Sequence, residues 1–445
     1  MKEDSTQLKT QPPTKVAGRK SYIKKAAALL FGFCVGIACT GEAQAKDYYL
    51  SPTGSGGPGT SWASAFTSFQ YASAVQYQPG DRLLIDGGAK SITYPVMTVT
   101  MFASGVPGNP VTITNSTEAG RNGQVIISGK QTNGQPNAPV ALYWYGNNLN
   151  LVGSHRDAIK ISDYSTAGLY VAGNSDLFQN IEIANVAVNT SGQGRTGTGL
   201  LFGGTNNRYQ SLDIHGCAQI AQQKPTEPSE VAENSTFGGC WFFDTVQRGG
   251  KGVVTSGQNA SSQVLFSNCA FGPGLATALN CQSVVGTVHS HGCLFLNATA
   301  ANIVMSAAST SKPNLVIERA TSFMTPTNQN NLAHSCLNTN GSGTTSVSTS
   351  VFWGGTVRVP AAVPVKVAKN DQYLVKGNTH VLAPGLVDPL FQDETIISAF
   401  TGANPLGTIA TTNYSLAANS PATGNGAVVV SVLQLNKNAA KFFNP

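Results

Sequence analysis

The sequence predicts an all-β solenoid, a chain of short strands coiled into stacked rungs, and three observations predict it. Phrases of similar pattern recur every ~25–30 residues, the period of a repeat architecture. Only 11% of the 445 residues are charged, whereas glycine alone contributes 48. A protein of amphipathic helices would need far more Lys and Glu on its exposed faces. Within each phrase, apolar residues alternate with period two and the alternation breaks once, at a small residue.

Taken in chain order, the first element is a leader. Lys24 and Lys25 precede an apolar run from Ala26 to Cys39, and "AQA" at 43–45 supplies small residues. Those three parts are those of a secretory signal peptide cleaved after Ala45. The apolar run is short for a membrane span, which needs ~20 residues. No stable membrane insertion is expected after cleavage. Seven basic and three acidic residues fall in 1–45, leaving 20 and 18. A balance this even is no nucleic-acid signature, because such proteins gather basic charge on one face.

The repeated phrases are "NIEIANVAV" from Asn180, "SLDIHGCAQ" from Ser211, "STFGGCWFF" from Ser235, "VLFSNCAFG" from Val264 and "VHSHGCLFL" from Val288. "LVIERATSF" from Leu315 and "SVSTSVFWG" from Ser346 extend the set. Ile181, Ile183, Val186 and Val188 read as inward positions of strands. Asn185, Gly216, Gly239, Asn268 and Gly292 stand where the alternation breaks. Asn and Gly tolerate positive φ, so a sharp corner between two strands belongs there. The next column holds Val186, Cys217, Cys240, Cys269 and Cys293, continued by Thr321 and Val351. The four cysteines are expected to form one interior ladder of small buried hydrophobes. Cys281 and Cys336 fall on another strand, and the choice between thiols and disulfides stays open.

"TVHSHGCLFLN" (287–297) is therefore a rung before it is anything else. His289 faces outward in the column of Glu182, Asp213, Thr236 and Leu265. His291 stands at the corner with Ala184, His215, Gly238 and Ser267. The two histidines flank an inward Ser290 and could share a ligand. A zinc site would need a third protein ligand, none is evident in the sequence, and no metal site is assigned.

Residues 47–74, "DYYLSPTGSGGPGTSWASAFTSFQYASA", followed by "PGDRLLIDGG" (79–88), resemble the opening of secreted right-handed parallel β-helix proteins of the pectate-lyase-like superfamily. "FASGVPGNPVTITNS" (102–116), "VIISGK" (125–130), "DPLFQD" (388–393) and "NYSLAANSPATGNGA" (413–427) extend the resemblance over nearly all the chain after residue 45. It implies one domain, residues 46–445: a single-stranded right-handed parallel β-helix with a short N-terminal capping helix near 62–75. Regular rungs are expected over about 80–356 and a looser section over 357–445. The resemblance also implies action on acidic polysaccharides, in a long groove outside one sheet.

The catalytic motifs of individual branches are missing. The N-T-D, D-D and G-H-G set of polygalacturonase-type hydrolases is absent, as is the D-P-H-E segment of mannuronan epimerases. Calcium needs ~6–8 oxygen ligands, and the acidic residues that gather are Asp213, Glu227, Glu230, Glu233 and Asp244. Calcium is left as a possible cofactor, and no cofactor is certain.

β-Elimination from a uronate needs a base beside the carboxylate and a cation to neutralise developing charge. On that chemistry the base is Lys251 or His289, the neutralising cation Arg248, and Asp213 an orienting or metal-binding group. Arg195, Arg208, His215, His291 and Tyr170 are candidates for holding the polysaccharide, Tyr170 as a platform for a sugar ring. The competing reading is a non-catalytic adhesin, matrix component or carbohydrate-binding scaffold. A tail fibre fits poorly with a signal peptide, and an autotransporter would need a membrane barrel after the helix.

Overall fold

The computed structural model describes residues 44–367, apart from 132–136, 191–193, 225–233, 247–248, 257–259, 283–284, 307–312, 324–334, 341–342, 349, 354–355 and 359–364. Residues 1–43, nearly all of the expected signal peptide, and the section from 368 onward lie outside the described residues. Residues from Ala45 onward form one unit. Its strands belong to three parallel sheets, here A, B and C, and a short antiparallel pair. Sheet A has twelve strands, from Asp47–Leu50 to Val365–Val367, and sheets B and C have ten each. From Arg82–Ile85 onward, each turn of chain gives one strand to A, one to B and one to C before returning. Parallel strands joined this way coil right-handedly, and the molecule is a right-handed parallel β-helix. Among the described residues no helix is long and apolar enough to cross a membrane. The short helix, Phe69–Ser73, starts at Ser68, whose side chain accepts from the Tyr71 N–H, and buries Phe69 and Ala72 in the core.

The corner from sheet A to sheet B explains the break in alternation. Asn180, Ser211, Gly239, Asn268, Gly292 and Arg319 all have φ between 50° and 62° there. In five of them the corner N–H donates to the carbonyl of the residue just before the corner one rung on, as from Asn268 to His291 at 2.9 Å and from Gly292 to Glu318 at 2.9 Å. Left-handed backbone is thus repaid by a continuous ladder of satisfied amides. Asp163, Asn185 and Gly216 mark a second left-handed corner, from sheet B toward sheet C.

This second corner corrects the cysteine column. Val186 and Cys217 follow the corner from B to C, whereas Cys240, Cys269 and Cys293 follow the corner from A to B. Cys217 therefore does not share the position of Cys240, Cys269 and Cys293. Thr321 pairs with Leu294, and Val351 with Thr321, one residue past the Cys293 position. All six cysteines of the described residues are buried, and none is in a disulfide. Inside sheet A, Phe178, Tyr209, Phe237 and Phe266 stack at ring separations of 5.2, 4.5 and 5.0 Å. Inward Ser290 takes the next place in that column.

Candidate functional site

The residues predicted to share one groove are distributed over all three sheets. Asp213 and His215 share the strand Asp213–His215 of sheet B. Arg208, His289 and His291 belong to sheet A. Arg208 and His289 share an outward column, separated by Thr236 and Leu265. Lys251 and Tyr170 belong to sheet C. Tyr170 faces outward yet is only 7% exposed, beneath Tyr143, Tyr145 and the Lys224 ammonium, which sits 4.3 Å from its ring centre. Arg195 pairs with Asn189 in an antiparallel hairpin that leaves the chain between the B and C strands of its rung. Arg248, Glu227, Glu230 and Glu233 lie outside the described residues.

The shared column assumed for Glu182, Asp213, Thr236, Leu265 and His289 also divides. Glu182 and Asp213 are register partners in sheet B, whereas Thr236, Leu265 and His289 are register partners in sheet A. By the same division His215 pairs with Ala184, whereas His291 pairs with Ser267, which in turn pairs with Gly238.

Among the described residues, a cluster of ionisable groups stands on the outer face of sheet B. Inward Ile159, Ile161, Ile181, Ile183 and Ile214 fix the strands, and alternation turns Lys160, Glu182 and Asp213 outward in one register column. Lys160 Nζ donates to Glu182 Oε1 at 2.7 Å, and His215 Nε2 lies 3.1 Å from the same oxygen. The two nitrogens therefore sit within about 6 Å of each other. The His215 ring stacks on Phe243 at 4.7 Å, and Trp241 lies 4.4 Å from Phe243. Burial alone would push the Glu182 carboxyl upward. Hydrogen bonds from His215 and Lys160, with their charge, outweigh it and hold Glu182 below the usual carboxylate range.

Behind this trio lies a second one. Arg156, from the connection before Ile159, donates from Nε to Asp213 Oδ2 at 2.8 Å and from Nη2 to Asp213 Oδ1. Its Nη1 reaches the Gly239 carbonyl at 3.4 Å. Both oxygens of Asp213 are thus engaged by the guanidinium. Burial works against the Arg156 charge, but Asp213 outweighs it and holds Arg156 above its ordinary range. Burial first and the Asp213 charge second push the Asp157 carboxyl up to about 9. Groups whose ionisation is displaced in opposite directions at one place are a marker of functional sites.

Arg156, Asp157, Lys160, Glu182 and Trp241 were not singled out in the sequence. Lys160 was within reach, since "IKIS" at 159–162 has the alternation of "IEIA" at 181–184. Arg156 and Asp157 sit in a connection, and no local signal marks them.

No protein-family model matches the sequence, and no curated protein matches it. Solved structures do. Pectate lyase Pel9A is 17% identical, with a TM-score of 0.54 over 84% of this chain and 90% of that one. A rhamnogalacturonan lyase is 15% identical, with a TM-score of 0.53 over 86% of this chain and 99% of that one. At such identities the likeness is one of fold: the chain shares the right-handed parallel β-helix of both.

Proposed function

We propose that the protein is exported and binds and cleaves an acidic extracellular or cell-envelope polysaccharide by β-elimination, with the cluster on sheet B as its site. The observation that carries this reading is the convergence of Lys160 and His215 on one carboxylate oxygen of Glu182. Glu182 orients the imidazole through Nε2 and leaves Nδ1 as the ring nitrogen for proton removal, a carboxylate–imidazole arrangement that also stabilises the imidazolium once formed. Lys160 neutralises the uronate carboxylate as charge develops beside it.

His215 takes the proton from the carbon next to that carboxylate. The electrons of the broken C–H bond become a carbon–carbon double bond. The bond from the adjacent ring carbon to the glycosidic oxygen breaks, and that oxygen leaves with a proton from solvent. Arg156, tied to Asp213, fixes the floor of the site. The names of the two lyases similar in fold are consistent with this substrate class.

The test is growth of the ultraviolet band of an unsaturated uronate while the protein is incubated with a panel of polyuronates, with calcium and with chelator. The proposal expects growth in both, because no step calls on calcium. Binding of a polyuronate with no growth on any substrate would instead establish a carbohydrate-binding scaffold.

A further inference from the structure

The rung that carries "TVHSHGCLFLN" holds a second cluster, on sheet A. His289 and His291 lie on the strand Thr287–His291, flanking inward Ser290. The parallel register sets Glu318 of the neighbouring strand Asn314–Glu318 beside His291. Glu318 Oε2 is 3.0 Å from His289 Nε2 and 3.3 Å from His291 Nδ1. The side chains are 35%, 44% and 40% exposed, so an ion reaches them from solvent without any rearrangement of the fold.

We infer that His289, His291 and Glu318 form a binding site for one divalent transition-metal ion, zinc by ligand type. Among the described residues they are the one group of three whose donor atoms, one from each, all lie within 4.8 Å of one another. Zinc with bonds of ~2.0–2.1 Å holds tetrahedral ligand atoms roughly 3.3 Å apart, and two imidazoles with one carboxylate leave a fourth position open. The two nitrogen-to-oxygen separations already match that spacing, and modest side-chain rotation brings the nitrogens together. Two imidazole nitrogens are poor ligands for calcium, which takes oxygen. Half-buried Leu265 and Val316 border His289 in the same outward column, so the site has an apolar rim. The third ligand that the sequence lacked nearby is one rung away.

The test is titration of the untagged chain with zinc against a competing chromogenic chelator, repeated with calcium. One zinc ion per chain is expected. His289→Ala, His291→Ala and Glu318→Gln should each raise Kd at least about tenfold, a loss typical even of outer-shell partners, while His155→Ala leaves it unchanged. Melting curves without metal show that each variant is folded, and Glu318→Gln keeps the side-chain shape if a histidine variant fails. Absence of zinc binding would overturn the assignment. So would zinc binding that survives all three substitutions, or a preference for calcium.

Discussion

Arg156 grips Asp213 with both arms of its guanidinium across two rungs of sheet B, although 57 residues separate them in the chain. Their side chains are 8% and 7% exposed. Breaking a buried pair leaves one charge uncompensated and costs about 3–5 kcal/mol. Arg156→Ala should therefore lose stability of that order in denaturant unfolding. The double variant Arg156→Met/Asp213→Leu should lose much less, since neither charge remains to be buried.

Asp176 gives a pH signature. Its side chain is fully buried, Oδ1 accepts from the Leu149 N–H at 2.9 Å, and Oδ2 has no hydrogen-bond partner. Burial pushes its carboxyl up to about 8. The folded state thus holds a proton that the unfolded chain releases near pH ~3.9. This group's contribution to stability is greatest below that pH and falls as pH rises toward 8, by at most about 1.4 kcal/mol per unit. Asp157, pushed up to about 9, acts in the same direction. Asp176→Asn should flatten the decline of Tm between mildly acidic and neutral pH, because the amide keeps the acceptor for Leu149 and never ionises.

Gly292 tests the corner. Its φ is +62°, and a Cβ there would stand 2.5 Å from Asn268 Oδ1. Left-handed backbone costs a non-glycine residue roughly 1–2 kcal/mol, and the collision adds to it. Gly292→Ala should lower stability by more than that backbone cost in thermal or denaturant melts. Introducing Asn268→Gly as well should recover the collision part and leave the backbone part.

The sequence carried the fold because corner chemistry and period-two alternation are local. It blurred the register because the corner from A to B is a single left-handed residue. Two strands of different sheets, such as Ser235–Gly238 and Trp241–Phe242, then read as one phrase. Ser211 hid one such corner, being neither Asn nor Gly, and shifted the Cys217 phrase against the Cys240 phrase. The sites were less legible, since they are made by stacking. Glu318 stands beside His291 only because a rung is 27 residues long there, and Arg156 meets Asp213 only through an intervening rung. His289 and His291 announced themselves by type, whereas Lys160 and Glu182 look like ordinary surface charges until their register is known.

The most direct test of the functional account compares β-elimination rates of the unmodified protein, His215→Ala and Lys251→Ala on the same polyuronate. Positioned general bases contribute typically ~10²–10⁴-fold. The account predicts a loss of that size in His215→Ala with folding intact, and an unchanged rate in Lys251→Ala, whose side chain belongs to sheet C. Full activity in His215→Ala, or a loss confined to Lys251→Ala, would contradict it and move the reaction off sheet B.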